Sequence, residues 1–417
     1  MRRSPFHIMT KPTGPICNLD CAYCYYLDKE KLYPRGENFR MSDATLERYV
    51  EQFIASQPGP DVTFAWQGGE PTLMGLDFFR RAVELERRYL PAGFTCHNAI
   101  QTNGTLLDAE WCRFLKDNDF LVGISIDGPA DLHDVYRRNK GGRPTHDAVM
   151  RGLRLLQEFH VDYNVLCVVN AVNGQRPLDV YEFLTGAGVT WIQFIPLVER
   201  VGDGVSPRTV PAETYGRFLA DIFDVWVRRD VGRVFVQIFE ECVQVWAGQT
   251  ANLCIFRPTC GDALALEHDG ALYACDHFVD PRYRLGNIRD SSLVELVDSP
   301  AQVAFGQAKR TTLPRYCLEC DVRFMCNGAC PKDRFIRTPD GEPGLNYLCA
   351  GYKHFFHHVD PAMRQIVALL RAGRFADEIM SAGGRSAPAL ARGGRARNQP
   401  CPCGSGRKYK RCCGAER

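Results

Sequence analysis

Short apolar runs alternate with longer amphipathic stretches over the first half of the chain. The apolar runs end in glycine, asparagine or polar residues, and they occupy residues 5–10, 62–66, 94–100, 121–126, 163–169 and 191–195. The intervening stretches have the periodicity of helices and occupy residues 43–56, 77–89, 108–117, 146–158 and 177–187. Several of them open with an aspartate that can cap the first turn. Strands and helices alternating at this spacing predict right-handed βαβ units and a parallel sheet.

Six such units make a partial (β/α)6 barrel rather than a complete eightfold one, and the predicted fold class is therefore α/β. In barrels of this kind the chemistry gathers at the C-terminal ends of the strands. A further apolar alternation at residues 264–274, interrupted by His268-Asp-Gly270, predicts a hairpin that places Cys275.

Length, net charge and cysteine content argue against a membrane protein or a nucleic-acid-binding protein. The 417 residues are enough for two or three domains, and the net charge of +2 creates no field that would favour nucleic acid or an anionic membrane. No run reaches the roughly 18 apolar residues of a membrane span, and the opening Met-Arg-Arg-Ser-Pro has no apolar signal core. In such a chain 19 cysteines indicate a reducing compartment and bound metal. We therefore expect a cytoplasmic protein without membrane or nucleic-acid partners.

Three cysteines follow the first predicted strand at the spacing C-x3-C-x2-C, namely Cys17, Cys21 and Cys24. Three thiolates are one short of the four that usually saturate a [4Fe-4S] cluster, so one iron would stay open. A zinc site or three unrelated thiols are the alternatives, but zinc takes four ligands and no fourth cysteine lies nearby. The pattern resembles the radical-SAM superfamily. That resemblance implies that the open iron binds S-adenosylmethionine, and that an electron from the cluster then produces a 5′-deoxyadenosyl radical.

Two further motifs fit this resemblance. The second predicted strand ends in Trp66-Gln-Gly-Gly-Glu-Pro-Thr72, where glycines allow close backbone approach and a carboxylate can bind an ammonium group. By itself this segment could be only a strand-to-helix turn. Beside the cysteine loop it resembles the family's Gly-Gly-Glu element, which implies that Gly68, Gly69 and Glu70 bind the amino group of the cofactor. The resemblance also implies that Ser125, in Ser125-Ile-Asp-Gly128, lies near the cofactor's polar groups.

A second array of eight cysteines occupies the later part of the chain. Its members are Cys254, Cys260, Cys275, Cys317, Cys320, Cys326, Cys330 and Cys349. Eight thiols suffice for two four-cysteine sites, and two zinc ribbons would use the same number. The stretch from Cys317 to Cys330 resembles the SPASM extension of radical-SAM enzymes, which holds two auxiliary [4Fe-4S] clusters. The resemblance implies that one cluster is ligated by Cys254, Cys260, Cys275 and Cys330, and the other by Cys317, Cys320, Cys326 and Cys349.

Within the SPASM enzymes the chain is similar to the anaerobic sulfatase-maturating enzymes over roughly residues 5 to 370. The similarity rests on Cys24-Tyr25-Tyr26, on Gln67 ahead of Gly-Gly-Glu, and on Cys275-Asp276. It implies oxidation of a Cys or Ser in a sulfatase Cys/Ser-x-Pro-x-Arg motif to Cα-formylglycine. It also implies that Asp276 is the base and that Gln67 and Tyr26 line the substrate site. Without the resemblance, Asp276 would be interpreted as a turn cap, and His277 is interpreted as a structural neighbour.

The same similarity implies the partners: an unfolded or nascent sulfatase as substrate and an external electron donor such as flavodoxin or ferredoxin, with the enzyme a monomer. One alternative is a radical-SAM/SPASM maturase that cross-links or otherwise modifies a ribosomally made peptide. Another is a non-enzymatic electron carrier or adaptor. A three-cysteine cluster beside Gly-Gly-Glu argues against a carrier, which has no use for an open iron.

The end of the chain changes character. Residues 381–400 are rich in Gly, Ala, Ser and Arg, which is typical of a flexible linker. Four thiols at C-x-C-x8-C-C follow, and they suffice for a tetrahedral zinc site that would supply the folding energy of so small a module. This tail resembles the SEC-C motif, which implies Zn²⁺ on Cys401, Cys403, Cys412 and Cys413. The remaining Cys96, Cys112, Cys167 and Cys242 are expected to be small buried hydrophobes.

These features predict four segments. Residues 1–235 form the radical-SAM partial barrel, 236–371 the SPASM auxiliary-cluster domain, 372–399 a flexible linker, and 400–417 the SEC-C zinc motif.

Overall fold

The computed structural model describes residues 5–382, and six parallel strands form the centre of its main sheet. These strands are β1 (His7–Lys11), β2 (Asp61–Trp66), β3 (Thr95–Thr102), β4 (Phe120–Ser125), β5 (Tyr163–Val169) and β6 (Trp191–Pro196). They lie side by side in chain order, and each pairs in parallel with its neighbours. The predicted six-stranded parallel arrangement is confirmed.

Helices connect these strands, as the periodicity predicts. They are α1 (Asp43–Ser56), α2 (Leu76–Tyr89), α3 (Ala109–Asp117), α4 (Ala130–Tyr136), α5 (His146–Glu158) and α6 (Pro177–Gly186). Only α4 was not predicted. Asp108 caps α3 through a 2.9 Å bond from the Trp111 amide, whereas Ser42 rather than Asp43 caps α1. Aspartate is therefore the cap at α3, but at α1 it lies inside the first turn.

The alternation of side chains along the strands places the core between sheet and helices. In β2 the side chains of Val62, Phe64 and Trp66 are fully buried, while Thr63 between them is exposed. Tyr49 of α1 and Phe79 of α2 meet the Trp66 ring edge-on, with ring centroids 6.1 and 5.7 Å apart. Such aromatic pairs add packing energy to the burial of apolar surface, and they fix the helices on the outer face of the sheet.

The second half of the described chain is mixed. Its elements are β7 (Arg200–Val201), β8 (Gly204–Val205), α7 (Ala212–Arg229), β9 (Phe235–Val236), α8 (Gln237–Trp246), β10 (Ala263–Glu267), β11 (Ala271–Tyr273), β12 (Arg284–Asn287), α9 (Leu293–Val297), α10 (Pro300–Thr311), α11 (Arg315–Leu318), α12 (Arg323–Cys326), β13 (Ile336–Arg337), β14 (Pro343–Leu345), α13 (Cys349–Arg371) and α14 (Glu378–Ala382). No helix among the described residues is long and apolar enough to cross a membrane.

The second half also extends the main sheet at both edges. Strand β9 pairs in parallel with β6, and β10 pairs in parallel with β1. Strands β10 and β11 form the predicted hairpin, and β12 continues it antiparallel. The hairpin is therefore a direct continuation of the barrel sheet, and the turn after β11 brings the Asp276 side chain to that of Lys11, the last residue of β1.

The cysteines left over from the metal motifs behave as expected for apolar residues. Cys112, Cys167 and Cys242 are fully buried in the core, and Cys96 is partly buried at its edge. Burial raises the pKa of the Cys112 thiol to about 11, so this side chain stays neutral.

Helices α7 and α13 touch through their backbones at two glycines. A Cβ on Gly216 would lie 2.5 Å from the Gly351 carbonyl oxygen, and a Cβ on Gly351 would lie 2.0 Å from that of Ala212. Because α13 begins at Cys349, this close approach fixes a cluster-motif cysteine against the barrel.

We predict that Gly351→Ala destabilises the protein by about 1–3 kcal/mol, because the added methyl group forces the two helices apart. Urea unfolding under anaerobic conditions measures this. Gly186→Ala is the matched control, since nothing lies within 4 Å of its Cβ position in α6. Equal unfolding midpoints for G351A and the wild type would contradict the close packing.

Candidate active site

The three-cysteine loop follows β1 and rests on the Gly-Gly turn that follows β2. The Gly69 amide donates to the Gly14 carbonyl at 2.8 Å, and the Glu70 amide donates to that of Ile16 at 2.9 Å. A Cβ on Gly69 would lie 1.9 Å from the Ile16 carbonyl oxygen, while Gly68 has a φ of +132°. The two glycines therefore allow the turn to pack directly against the loop that carries Cys17, Cys21 and Cys24.

Glu70 is buried and its carboxylate is held by protein donors. Oε1 accepts bonds from the Thr72 amide, the Thr72 hydroxyl and the Thr102 hydroxyl at 3.1, 2.6 and 2.7 Å. Oε2 accepts from the Asn103 amide at 2.7 Å. Burial raises the pKa of Glu70, although these bonds act in the opposite direction. The carboxylate thus joins the ends of β2 and β3, and its binding to the cofactor's amino group stays a prediction.

Ser125 lies at the end of β4 and is joined to β3. The Gln101 side-chain amide donates to the Ser125 hydroxyl at 3.0 Å. Gly123 makes this possible, because a Cβ there would lie 2.0 Å from Gln101 Oε1. Gln101 was missed by sequence reasoning; its position at the carboxyl end of a strand was the available signal.

A buried polar network lies against the cysteine loop. Tyr23 donates to Asp127 Oδ2 at 2.5 Å, and Arg137 Nη1 donates to the Tyr23 hydroxyl at 2.9 Å. Asp127 Oδ1 accepts from the Val168 amide at 3.0 Å. Burial raises the pKa of Cys21, and the Arg137 guanidinium counteracts this. A cation next to this thiol suits a site that must hold a thiolate.

Asp276 lies in a 3-10 turn after β11 and is only 6% exposed. Its Oδ1 is 2.5 Å from the ammonium nitrogen of Lys11 at the end of β1. The Tyr25 hydroxyl donates to Oδ2. Burial by itself raises the pKa of Asp276, but Lys11 and the Tyr25 hydroxyl outweigh it and hold the pKa below its ordinary value. The carboxylate is therefore ionised and oriented by the first strand and by the cysteine loop.

Lys11 also connects the two residues expected to line the substrate site. Its ammonium nitrogen lies 3.5 Å from Gln67 Oε1 and 4.5 Å from the centroid of the Tyr26 ring. Tyr26 is 2% exposed, and its hydroxyl donates to the buried Glu267. Gln67 and Tyr26 therefore both lie beside Lys11, the ion-pair partner of Asp276, and the Tyr26 hydroxyl is bonded to the protein. Their contact with substrate stays a prediction.

Sequence reasoning missed Lys11, Tyr25 and Glu267. Lys11 is an ionisable residue directly after an apolar run, and this was the signal that could have identified it. His277, expected to be a structural neighbour, contacts the Tyr25 ring and lies 3.6 Å from Cys330 Sγ through Nδ1. Burial lowers the pKa of His277 to about 4, so its imidazole is neutral.

The later cysteines fall into two groups. Set I consists of Cys254, Cys260, Cys275 and Cys330, and set II of Cys317, Cys320, Cys326 and Cys349. Burial raises the pKa of Cys275, and its set I neighbours Cys330 and Cys254 raise it further. Burial likewise raises the pKa of Cys349 to about 12, with further contributions from the other three thiols of set II. All four thiols of set II line one small cavity.

This grouping is the one that the SPASM resemblance implies, and a donor set of four neighbouring thiols suits a [4Fe-4S] cluster. The ligation itself stays a prediction. Within residues 5–382, no three histidine, cysteine, aspartate or glutamate side chains are arranged to hold a single metal ion. The expected zinc ligands Cys401, Cys403, Cys412 and Cys413 lie outside the described residues.

Comparisons with known proteins agree with this geometry. Residues 12–184 match the model of the radical SAM superfamily, residues 254–321 that of the SPASM iron-sulfur cluster-binding domain, and residues 397–415 that of the SEC-C motif. A serine-type anaerobic sulfatase-maturating enzyme of Bacteroides thetaiotaomicron is 46% identical over 375 residues, covering 86% of this chain and 90% of the relative. The chain belongs to the anaerobic sulfatase-maturating enzyme family.

Other members show the same relationship. A cysteine-type enzyme of Clostridium perfringens is 32% identical, covering 86% of this chain and 97% of the relative. The solved structure of the sulfatase-maturating enzyme anSMEcpe with bound AdoMet superposes with a TM-score of 0.80 at 31% identity, covering 87% of this chain and 100% of that one. Streptococcus suis SuiB bound to its precursor peptide, at 14% identity and a TM-score of 0.59, covers 82% of this chain and 76% of its own, and shares the fold alone.

For this sulfatase-maturating enzyme we predict that Gly69→Ala removes about four irons per chain, because its Cβ would displace the loop carrying the three cysteines. Iron analysis after anaerobic reconstitution, together with cleavage of S-adenosylmethionine, measures the effect. Gly59→Ala is the matched control, since nothing lies within 4 Å of its Cβ position. Full iron content and normal cofactor cleavage in G69A would disprove the supporting role of the turn.

Proposed function

We propose that this enzyme oxidises the Cβ of a Cys or Ser in a sulfatase Cys/Ser-x-Pro-x-Arg segment to Cα-formylglycine. The observation that carries the proposal is the Asp276 carboxylate, oriented by Lys11 of the barrel and by Tyr25 of the three-cysteine loop. These contacts support the proposal, because they hold an ionised carboxylate next to the loop that would carry the radical-forming cluster. Membership of the sulfatase-maturating family supports the substrate class.

When bound to the three-cysteine cluster, S-adenosylmethionine supplies the radical that removes one hydrogen atom from the substrate Cβ. Asp276 takes the proton of the substrate hydroxyl or thiol, and one electron leaves. A serine thereby becomes the aldehyde directly. A cysteine becomes a thioaldehyde, which water hydrolyses with release of sulfide. The reaction requires a base within hydrogen-bond reach of the substrate, and Asp276 is our candidate.

The contacts around Asp276 support the roles that we propose for its neighbours. Lys11 holds the carboxylate at the end of β1, where it also faces Gln67. Gln67 then offers an amide to a peptide backbone, and the Tyr26 ring forms an adjacent wall over the Lys11 ammonium. Gly68, Gly69, Glu70 and Ser125 complete the proposal as the residues that bind the cofactor's polar groups.

We further propose three [4Fe-4S] clusters, on the three-cysteine loop, on set I and on set II, together with Zn²⁺ in the tail. Held by set I and set II, the auxiliary clusters would supply acceptors for the departing electron, and an external donor such as flavodoxin or ferredoxin would reduce the cluster held by Cys17, Cys21 and Cys24. The substrate is an unfolded or nascent sulfatase, and the enzyme acts as a cytoplasmic monomer. The segment boundaries 1–235, 236–371, 372–399 and 400–417 belong to the same proposal.

The native target is proposed to be serine. Serine-type relatives are 46, 39 and 38% identical to this chain, whereas cysteine-type relatives are 32, 33 and 31% identical.

Paired peptides test the function itself. Anaerobic incubation with a Ser-x-Pro-x-Arg peptide should give a product lighter by two hydrogen atoms, as read by mass spectrometry. The matching Cys peptide, if accepted, should give the same aldehyde with release of sulfide. An Ala-x-Pro-x-Arg peptide is the control and should stay unchanged. A thioether cross-link or an epimerised residue, without aldehyde, would favour the peptide-modifying alternative.

A second prediction concerns the base. Asp276→Asn should still produce 5′-deoxyadenosine but lose about 10²–10⁴-fold in the rate of formylglycine formation, the usual cost of removing a positioned base. A Cβ-deuterated substrate shows whether deuterium still reaches deoxyadenosine. Asp280→Asn is the matched control, because Asp280 lies on the same loop and its carboxylate accepts bonds from the amide and the guanidinium of Arg282. Formylglycine production at the wild-type rate in D276N would show that another group is the base.

The proposed metal content is a third prediction. The reconstituted full chain should contain about twelve irons and one zinc, from three four-iron sites and one four-thiol site. Replacing Cys17, Cys21 and Cys24 together by Ala should leave about eight irons and abolish cofactor cleavage. An iron content near four in the intact protein would rule out two auxiliary clusters.

A further inference from the structure

Arg334 lies between the two groups of thiols. It follows the 3-10 turn Pro331–Asp333, shortly after Cys330 of set I, and it is partly buried. Burial lowers the pKa of Arg334, while Cys317 and Cys326 of set II and Cys260 and Cys330 of set I all act in the opposite direction. The guanidinium is therefore within electrostatic reach of two thiols from each set.

Four backbone carbonyls hold the guanidinium in place. Nε donates to the Gly328 oxygen at 2.8 Å, and Nη1 donates to that of Lys309 at 2.6 Å. Nη2 donates to the oxygens of Asn327 and Ala329 at 2.9 and 3.2 Å. Three of these acceptors belong to the link between Cys326 of set II and Cys330 of set I. The guanidinium of Arg334 thus binds the shortest stretch of chain that joins the two sets.

That link has an unusual backbone. Asn327, Gly328 and Ala329 all have positive φ, at +46°, +72° and +50°. A left-handed conformation costs about 1–2 kcal/mol for a residue with a side chain, so the link needs an external partner to hold it. A Cβ on Gly328 would lie 2.6 Å from Arg334 Nη2, which shows how closely the guanidinium is packed.

Lys309 provides an internal comparison. It is also buried, and its ammonium group donates to the carbonyls of Cys254 and Ile255 at 2.6 and 2.9 Å. Burial lowers the pKa of Lys309, and the thiols of Cys260, Cys254 and Cys330, all in set I, act against this. The thiols with the largest effect on Lys309 therefore belong to set I, whereas those with the largest effect on Arg334 belong to both sets.

We propose that Arg334 is a positioning residue that serves both auxiliary clusters. It fixes the chain between them, and its single positive charge lies beside both. This rests on the proposed function, in which both sets hold a [4Fe-4S] cluster. A cluster gains one negative charge on reduction, and nearby charge and hydrogen bonding set its reduction potential. Arginine stays protonated in proteins, so the charge is permanent. Its consequence is that the two potentials are raised together.

The test is an EPR-monitored redox titration of the reconstituted full chain in which Cys17, Cys21 and Cys24 are replaced by Ala. Each signal is assigned by removing one cluster with C260A or C320A. In Arg334→Gln both midpoint potentials should become more negative, with a roughly tenfold lower ratio of reduced to oxidised cluster at the wild-type midpoint. For a one-electron couple this corresponds to about 59 mV. Lys309→Met should lower only the potential of the set I cluster.

Arg334→Lys separates charge from structure. It keeps a cation but cannot bond four carbonyls, so we expect its two potentials to lie nearer to the wild type than those of R334Q. If R334Q has full iron and unchanged potentials, if only one potential moves, or if R334K shifts as far as R334Q, the proposal is wrong.

Iron analysis distinguishes a failure of the inference about Arg334 from a failure of the proposed function. Should R334Q lose iron, R334K decides: full iron with potentials that lie less than about 59 mV below those of the wild type supports the proposal, and potentials lowered by about 59 mV or more overturn it. If the parent protein with arginine at 334 holds fewer than about eight irons, the two-cluster proposal itself fails.

Discussion

A buried ion pair between the first strand and the segment after β11 links the parts of this enzyme. Lys11 ends β1, and Asp276 follows Cys275, so one contact of 2.5 Å connects the barrel to the later chain. Removing one partner of a buried pair typically costs about 3–5 kcal/mol, because the other charge is left uncompensated. Tyr25 binds the same carboxylate from the three-cysteine loop. The candidate base is therefore positioned by the barrel, the cysteine loop and the extension together.

The parallel sheet could be predicted from the sequence because each strand carries its own signal. Apolar runs bounded by glycine or polar residues identify β1 to β6 to within two residues at every strand end. What could not be predicted is the pairing of β10 with β1, since nothing in either strand specifies a partner so distant in sequence. The aspartate caps show a similar limit: Asp108 caps α3, but Ser42 displaces Asp43 at α1 because local geometry decides which side chain reaches the free amide.

Cysteine spacing predicted the candidate site better than any other feature, because thiols at short fixed intervals have few other uses. The residues around them were harder to predict. Lys11, Tyr25 and Glu267 form their contacts only when β1, the cysteine loop and β10 come together, and single lysines or tyrosines have no motif. Glu70 was predicted as a cofactor ligand from its motif, yet the structure shows its carboxylate bound by four protein donors, which only the folded ends of β2 and β3 reveal.

The pairing of β1 with β10 has a consequence for how the chain folds. His7 of β1 lies beside Ala263 of β10, so the first strand of the sheet obtains its second neighbour only from a segment made much later during synthesis. Until then one edge of β1 is exposed, and open strand edges are sites of aggregation. Long-range parallel pairing is also slow to form. A ribosome-bound or truncated barrel half should therefore need chaperone protection, and the barrel should become a stable unit only when the cysteine-rich half has joined it.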